Sequence, residues 1–379
     1  MQDKIPRKRV QLNLLQAFRG VAALLVILFH IDQLSNETLK QPFLFDFFKF
    51  GSAGVDYFLV LSGFVAIYAH WHELGHRSFE NFKTFLLKRC IRIYPVYWII
   101  SLIVVAFFVL IPGFAKAGDL TPEFLFKSFI LFPQTESPLL NVGWTLILIV
   151  FFYLVFSLVY LLPTGLYLGL VALLLIGSST QFFSALSVTN ERPILQLLTN
   201  ALNLEFAFGS LAAWLVLKNN LPQRKAIFWV GSVLLLTFGI LHASKLILQS
   251  EGAVDPISIF GITFLINRVL VFGIPCFLIV LGAASIDLNE GRQIPKFINY
   301  LGDASYSLYL MHSPIVSAMT KIAVKLGLNG SVLQSTLVNF VILAVAIAVS
   351  CLFYSFVEQP VVEFLRKRLI KKKAVPKTS

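Results

Sequence analysis

Long apolar runs separate the polar positions of this chain, and they are too many and too long to be the core helices of a soluble domain. Ten of them lie at roughly 13–31, 52–70, 93–111, 142–162, 165–183, 197–217, 226–244, 264–284, 298–320 and 333–357. Each approaches the ~20 largely apolar residues that an α-helix needs to cross a bilayer. The pattern predicts an all-α polytopic membrane helix bundle of about ten transmembrane helices. An even number puts both ends of the chain on one side. The connecting segments on that side, 71–92 and 358–379 above all, hold the basic excess, whereas those on the other side are close to neutral. The positive-inside rule then makes both termini cytoplasmic.

Composition agrees and narrows the class. Hydrophobic residues are 57% of the 379 and charged residues only 13%, with 37 Phe. The net charge of +12 follows the membrane topology. It does not point to nucleic acid, because the basic residues are spread over several segments without a recognition motif. Cys90, Cys276 and Cys351 lack metal-ligand spacing and are read as packing residues, so neither a disulfide framework nor a metal site is expected. No cleavable signal peptide is expected. The reading divides the chain into a transmembrane domain, 1–365, and a basic cytoplasmic tail, 366–379. Arg366–Arg368 and Lys371–Lys373 of the tail are expected on anionic headgroups.

The charges inside the apolar runs carry the functional signal. The first run, Leu14–His30, contains Arg19 and His30. Eleven residues turn a helix by three turns plus roughly 20°, so both lie on one stripe, ~16 Å apart along the axis. Ionisable residues in a membrane helix cost about 2.5–3.5 kcal/mol on insertion scales and usually face protein or a wet cavity. In the predicted topology Arg19 is in the inner half and His30 near the outer face, marking two ends of a path through the protein. Asp56 opens the second span at the level of His30, where a carboxylate could fix the imidazole tautomer and raise its basicity. Ser62 and Gly63 on that span also suit close helix packing. Lys88, Arg89 and Arg92 recur at helical spacing ahead of the third span. Arg forks bind phosphate bidentately, so a phosphate-rich ligand from the cytoplasmic side fits them. Asp303 with Ser305, Tyr306, Ser307 and Tyr309 forms a polar stripe on the ninth span, read as a wet cavity wall or as interhelical hydrogen bonding. His312, further out on that span, is a second site histidine or an interfacial one. Glu205 and Arg268 are either a buried pair or snorkelling residues. The outer loop 112–141, with Pro112, Pro122, Pro133 and Pro138, is a candidate for acceptor contact.

These residues resemble the acyltransferase-3 family of integral membrane O-acyltransferases, in the stand-alone form that modifies exopolysaccharide or O-antigen. The likeness rests on Arg19 with His30, on Gly54-Val-Asp-Tyr-Phe-Leu-Val-Leu-Ser-Gly-Phe64 and on Arg89-Cys-Ile-Arg-Ile-Tyr-Pro95. Gly143-Trp-Thr-Leu146 with Phe152-Tyr153, Leu301-Gly-Asp-Ala-Ser-Tyr-Ser-Leu-Tyr-Leu-Met-His312 and Val357-Glu-Gln-Pro360 extend it over about 12–365. The resemblance implies transfer of an acyl group, usually acetyl, from cytoplasmic acyl-coenzyme A to a hydroxyl of an extracytoplasmic or lipid-linked glycan, at a bacterial inner membrane and with no bound cofactor. It implies His30, Arg19 and Asp56 as catalytic residues and Arg89, Arg92 and Tyr94 as donor-binding residues. Ser62, Trp144, Tyr153, Asp303, Ser305, Tyr306 and His312 are then cavity residues. One departure stands out. The family's carboxylate five residues after Trp144 is Ile149 here, and 142–162 contains no acid. A non-catalytic family member, or a transporter of a lipid-linked sugar, is the competing expectation.

Overall fold

The computed structural model describes the chain apart from residues 1–10, 112, 114–117, 119, 184–191, 219–220, 249–253, 260–261 and 371–379. Pro112 and Lys371–Lys373 therefore lie outside the described residues. The apolar runs fold as helices. The first half of the chain forms α1 (Asn13–Leu34), α2 (Ala53–His70), α3 (Phe79–Leu110), α4 (Pro122–Ile130), α5 (Gly143–Ser157), α6 (Thr164–Ser179) and α7 (Pro193–Leu198). The second half forms α8 (Asn203–Lys218), α9 (Arg224–Ala243), α10 (Ile274–Glu290), α11 (Lys296–Asp303), α12 (Ser305–Lys325), α13 (Val332–Phe353) and α14 (Gln359–Leu369). Among the described residues, nine helical segments are long and apolar enough to cross a membrane, and the protein is an all-α multi-pass membrane bundle.

Three boundaries differ from the expected ones for local reasons. The eighth span does not begin at 264. Residues Ile262–Ile266, rich in β-branched and aromatic side chains, form strand β2 and pair antiparallel with β1 (Asp255–Ile259). A π-helical turn at Val269–Gly273 follows, and α10 starts at Ile274 with Pro275 in its first turn. The ninth span is broken between Asp303 and Ser305 into α11 and α12. With 21 residues α12 is long enough to cross, but Ser305, Tyr306, Ser307, Tyr309 and His312 make it too polar to be one of the nine. The third helix is longer than expected. Its 32 residues span ~48 Å, well over a ~30 Å hydrocarbon core. Its first turns, begun where the Ser78 hydroxyl accepts from the Asn81 amide, carry Lys83, Lys88, Arg89 and Arg92 on a projecting helix.

Two helix crossings fix the frame of the site. Where α2 meets α8, a Cβ on Gly63 would strike the Phe206 carbonyl and one on Gly209 the Val60 carbonyl, so the two backbones touch at reciprocal glycines. Where α1 meets α11, a Cβ on Gly302 would strike the Gln16 carbonyl. That contact sets Asp303 against Gln16. The bundle buries α2 almost all round, whereas α6 presents Leu166, Leu168, Leu173 and Ile176 outward.

Candidate active site

Helices α1, α2, α3, α5, α12 and α14 enclose a cavity of about 1040 Å³. Its mouth is basic, lined by Lys88, Arg89, Arg366, Lys367 and Arg368. Its walls carry Gln16, Arg19, Ser62, Ile149, Tyr153, Ser305 and Tyr306, and deeper in lie Val55, Phe58, Thr145 and Tyr309. Among the described residues, no Asp or Glu lines it. The cavity is thus electropositive within a low-dielectric wall, which concentrates anions.

The mouth owes its charge to helix geometry. On α3, Lys88, Arg89 and Arg92 turn toward the cavity together. The Arg89 guanidinium carbon lies 4.7 Å from the Tyr153 ring centroid and 5.1 Å from that of Phe85. Two aromatic faces therefore hold the fork, while its Nε has no hydrogen-bond partner among the described residues. Arg92 is committed differently. It donates to Glu358, a fully buried carboxylate that also accepts from the Ser307 hydroxyl at 2.6 Å. Glu358 ends a π-helical turn, Tyr354–Glu358, just ahead of α14. The Arg92 guanidinium carbon also lies 5.3 Å from the Tyr306 ring centroid. Arg92 thus lines the cavity while neutralised by an acid on another helix, which qualifies its expected part as a free phosphate ligand.

Arg19 lines the cavity wall, and its Nη1 donates to Gln16 Oε1 at 2.9 Å. Gln16 in turn donates to Asp303 Oδ1 at 2.6 Å. Asp303 thus acts behind Gln16 and is not itself on the cavity wall. The i, i+3 spacing of Gln16 and Arg19 was the sequence signal for this relay.

His30 does not line the cavity, and neither does His312, which was expected there; both lie behind the lining residue Tyr309. The Tyr309 hydroxyl meets Thr145 Oγ1 at 2.7 Å, and the Tyr309 and His312 ring centroids are 6.0 Å apart. His312 Nε2 lies 3.3 Å from His30 Nδ1. Each histidine also turns Nδ1 toward the carbonyl one helical turn back: Val26 at 2.9 Å for His30, Leu308 at 3.0 Å for His312. A carbonyl only accepts, so in the neutral pair both Nδ1 atoms carry the proton. His312 Nε2 is then an acceptor facing His30 Nδ1–H, and the basic nitrogen of His30 is Nε2. The network assigns this tautomer.

The expected contact between Asp56 and His30 is not made. Asp56 is fully buried, and both oxygens are taken by the Arg268 fork, at 3.1 Å to Nε and 2.5 Å to Nη2. Glu205 packs beside this pair with no hydrogen-bond partner for either carboxyl oxygen among the described residues. A buried carboxylate in an apolar helix takes the nearest strong donor, and the rotation of α2 presents Asp56 to Arg268. Tyr94 also lies off the cavity; its hydroxyl donates to the Ile130 carbonyl at 3.2 Å. Trp144 packs against the core beside Thr145, and Thr145 takes the cavity position. Ser62, Tyr153, Ser305 and Tyr306 line the cavity. Ser305 Oγ is buried without a partner among the described residues, and the Tyr306 hydroxyl donates to the Ile93 carbonyl. Ile149 lines it too, so the family's carboxylate position faces this space and is apolar here. No group of three or more His, Cys, Asp or Glu residues suited to a metal occurs among the described residues.

Comparison with known proteins places this geometry. The acyltransferase-domain family matches residues 12–355. The exopolysaccharide production protein ExoZ of Rhizobium meliloti (strain 1021) is 30% identical over 312 residues, covering 77% of this chain and 87% of that protein. No solved structure matches. The arginine and histidine of α1, the basic turn of α3 and the polar α12 all fall within the matched region, and the chain belongs to the acyltransferase-3 family as a multi-pass membrane O-acyltransferase.

Proposed function

We propose that the protein transfers an acyl group, acetyl in the simplest case, from cytoplasmic acyl-coenzyme A to a hydroxyl of an exopolysaccharide or its lipid-linked precursor at the bacterial inner membrane. The observation that carries this reading is the cavity itself. It opens among basic side chains, has no acidic lining among the described residues, and runs past Arg19 toward the His312–His30 pair. The donor's phosphates bind at the mouth with Arg89, and its pantetheine arm lies along Arg19, Ser62 and Tyr306. Its thioester reaches the inner end near Thr145 and Tyr309. The acceptor hydroxyl comes to His30 from the other side of the membrane. His30 Nε2 takes the hydroxyl proton as the oxygen attacks the thioester carbonyl, and coenzyme A leaves as its thiol. The kinship with a protein named for exopolysaccharide production supports a glycan acceptor.

General-base catalysis of this kind contributes ~10²–10⁴-fold. The test is release of free thiol from acetyl-coenzyme A by purified protein, read with a thiol reagent. Wild type should turn over. His30→Ala should bind donor and lose at least about a hundredfold in rate, and Arg89→Gln should lose donor affinity. Full turnover by His30→Ala would remove the base assignment.

A further inference from the structure

The sequence places Arg366, Lys367 and Arg368 on lipid headgroups, yet all three line the cavity mouth together with Arg89. They occupy the last turn of α14, which packs against α3. The direction of α14 is set just upstream, where Glu358 is tied to Arg92 of α3 and to Ser307 of α12. Arg366 stands within Coulombic range of both Arg89 and Arg92, and more weakly of Glu363 on its own helix. Of these cations, Arg92 has its carboxylate in Glu358. Lys367 reaches Glu363 only at 3.8 Å, on an exposed surface, where such a pair holds its partner weakly. Drawing like charges together at a cavity entrance is unfavourable unless an anion sits among them, and the cavity lining supplies none among the described residues.

We infer that Arg366, Lys367 and Arg368 complete, opposite Arg89, a binding site for the phosphate groups of the acyl donor. The inference rests on the acyl-coenzyme A reading of the cavity and extends it to the end of the chain. Two Arg forks and a Lys on one helical turn suit a cluster of phosphates, with the forks binding bidentately and the Lys as a point charge. Phosphate oxygens are also what a phospholipid offers. The place of the triplet on the cavity lining favours a ligand that enters the cavity.

The experiment is calorimetric binding of coenzyme A to the full-length protein in neutral detergent, with phosphatidylglycerol vesicle flotation as a second arm. All three side chains are exposed, so Arg366→Gln and Arg368→Gln are available singly as well as in the triple variant with Lys367→Gln. Wild-type affinity should fall as salt rises. Each single variant should weaken binding about tenfold, as expected for loss of a charge-assisted hydrogen bond, and Arg366→Lys with Arg368→Lys, which restores the charge without the fork, should recover only part of it. Equal coenzyme A affinity in wild type and triple variant, with binding lost only in Arg89→Gln, would overturn the inference and leave the donor reading standing. Unchanged coenzyme A affinity with reduced flotation would also overturn it, assigning the triplet to headgroups. No coenzyme A binding by wild type would remove both.

Discussion

His312 offers a sharp test of the catalytic arrangement. In the resting pair, His30 Nδ1–H faces the Val26 carbonyl at 2.9 Å and His312 Nε2 at 3.3 Å. When His30 takes the acceptor's proton it becomes an imidazolium, and the same Nδ1–H becomes a charged donor. A hydrogen bond to a charged group is worth about 1.5–3 kcal/mol, against about 0.5–1.5 for a neutral one. The difference develops only as the proton moves, so it lowers the barrier and leaves ground-state binding alone. At 3.3 Å the bond is long, which selects the lower end of both ranges, a difference of ~1 kcal/mol, or about fivefold in kcat. The perturbation is His312→Phe, which nearly preserves the volume of a fully buried side chain and has no acceptor. His312→Gln, which can present an oxygen, is the rescue. The assay is thiol release from acetyl-coenzyme A across a donor series. Phe should lower kcat about fivefold with KM for donor unchanged, and Gln should return part of it. A kcat within twofold of wild type for His312→Phe, or a rise in KM alone, would refute the argument.

Two further outcomes follow from the geometry. Asp56→Asn strands the Arg268 fork in the bundle, and breaking a buried pair costs about 3–5 kcal/mol; because the Arg268 side chain is 18% exposed, the lower end applies. The thermal midpoint in detergent should fall, while the pH profile of the remaining activity keeps the wild-type shape; a displaced profile would restore Asp56 to the base. Ile149→Glu should yield folded protein, since Ile149 faces the cavity. Leu148→Glu should not, because Leu148 is 3% exposed in the core and would bury an unpaired charge. Monodispersity on size exclusion separates the two, and equal behaviour would mean that α5 is turned otherwise.

The helices, the basic face and the Arg19–His30 stripe were legible because each is a matter of period and composition within one segment. Pairings between segments were not. Asp56 looks the same in the sequence whether α2 turns it to His30 or to Arg268, since the choice depends on where the π-helical turn after Arg268 sets that side chain. Glu358 was visible as part of a closing motif, but nothing near it says that its partners are 266 residues away at Arg92 and 51 away at Ser307. Conversely, Gly63 was read as a close-packing residue, and the small-residue signal held because a missing side chain has the same meaning against any neighbour. The β-hairpin escaped because Ile262–Ile266 is as apolar as the membrane spans around it.

The polarity of α12 bears on how the chain enters the membrane. A segment carrying serines, tyrosines and a histidine at its core-facing positions partitions poorly into lipid by itself. Only a short turn separates it from α13, which is the more apolar of the two and packs along it. The pair can insert as a hairpin, with α13 supplying the hydrophobic drive. The polar face of α12 is then sheltered by α1, made some three hundred residues earlier. Completion of this side of the bundle therefore waits for α12 and α13, and a product truncated before them holds His30 without His312.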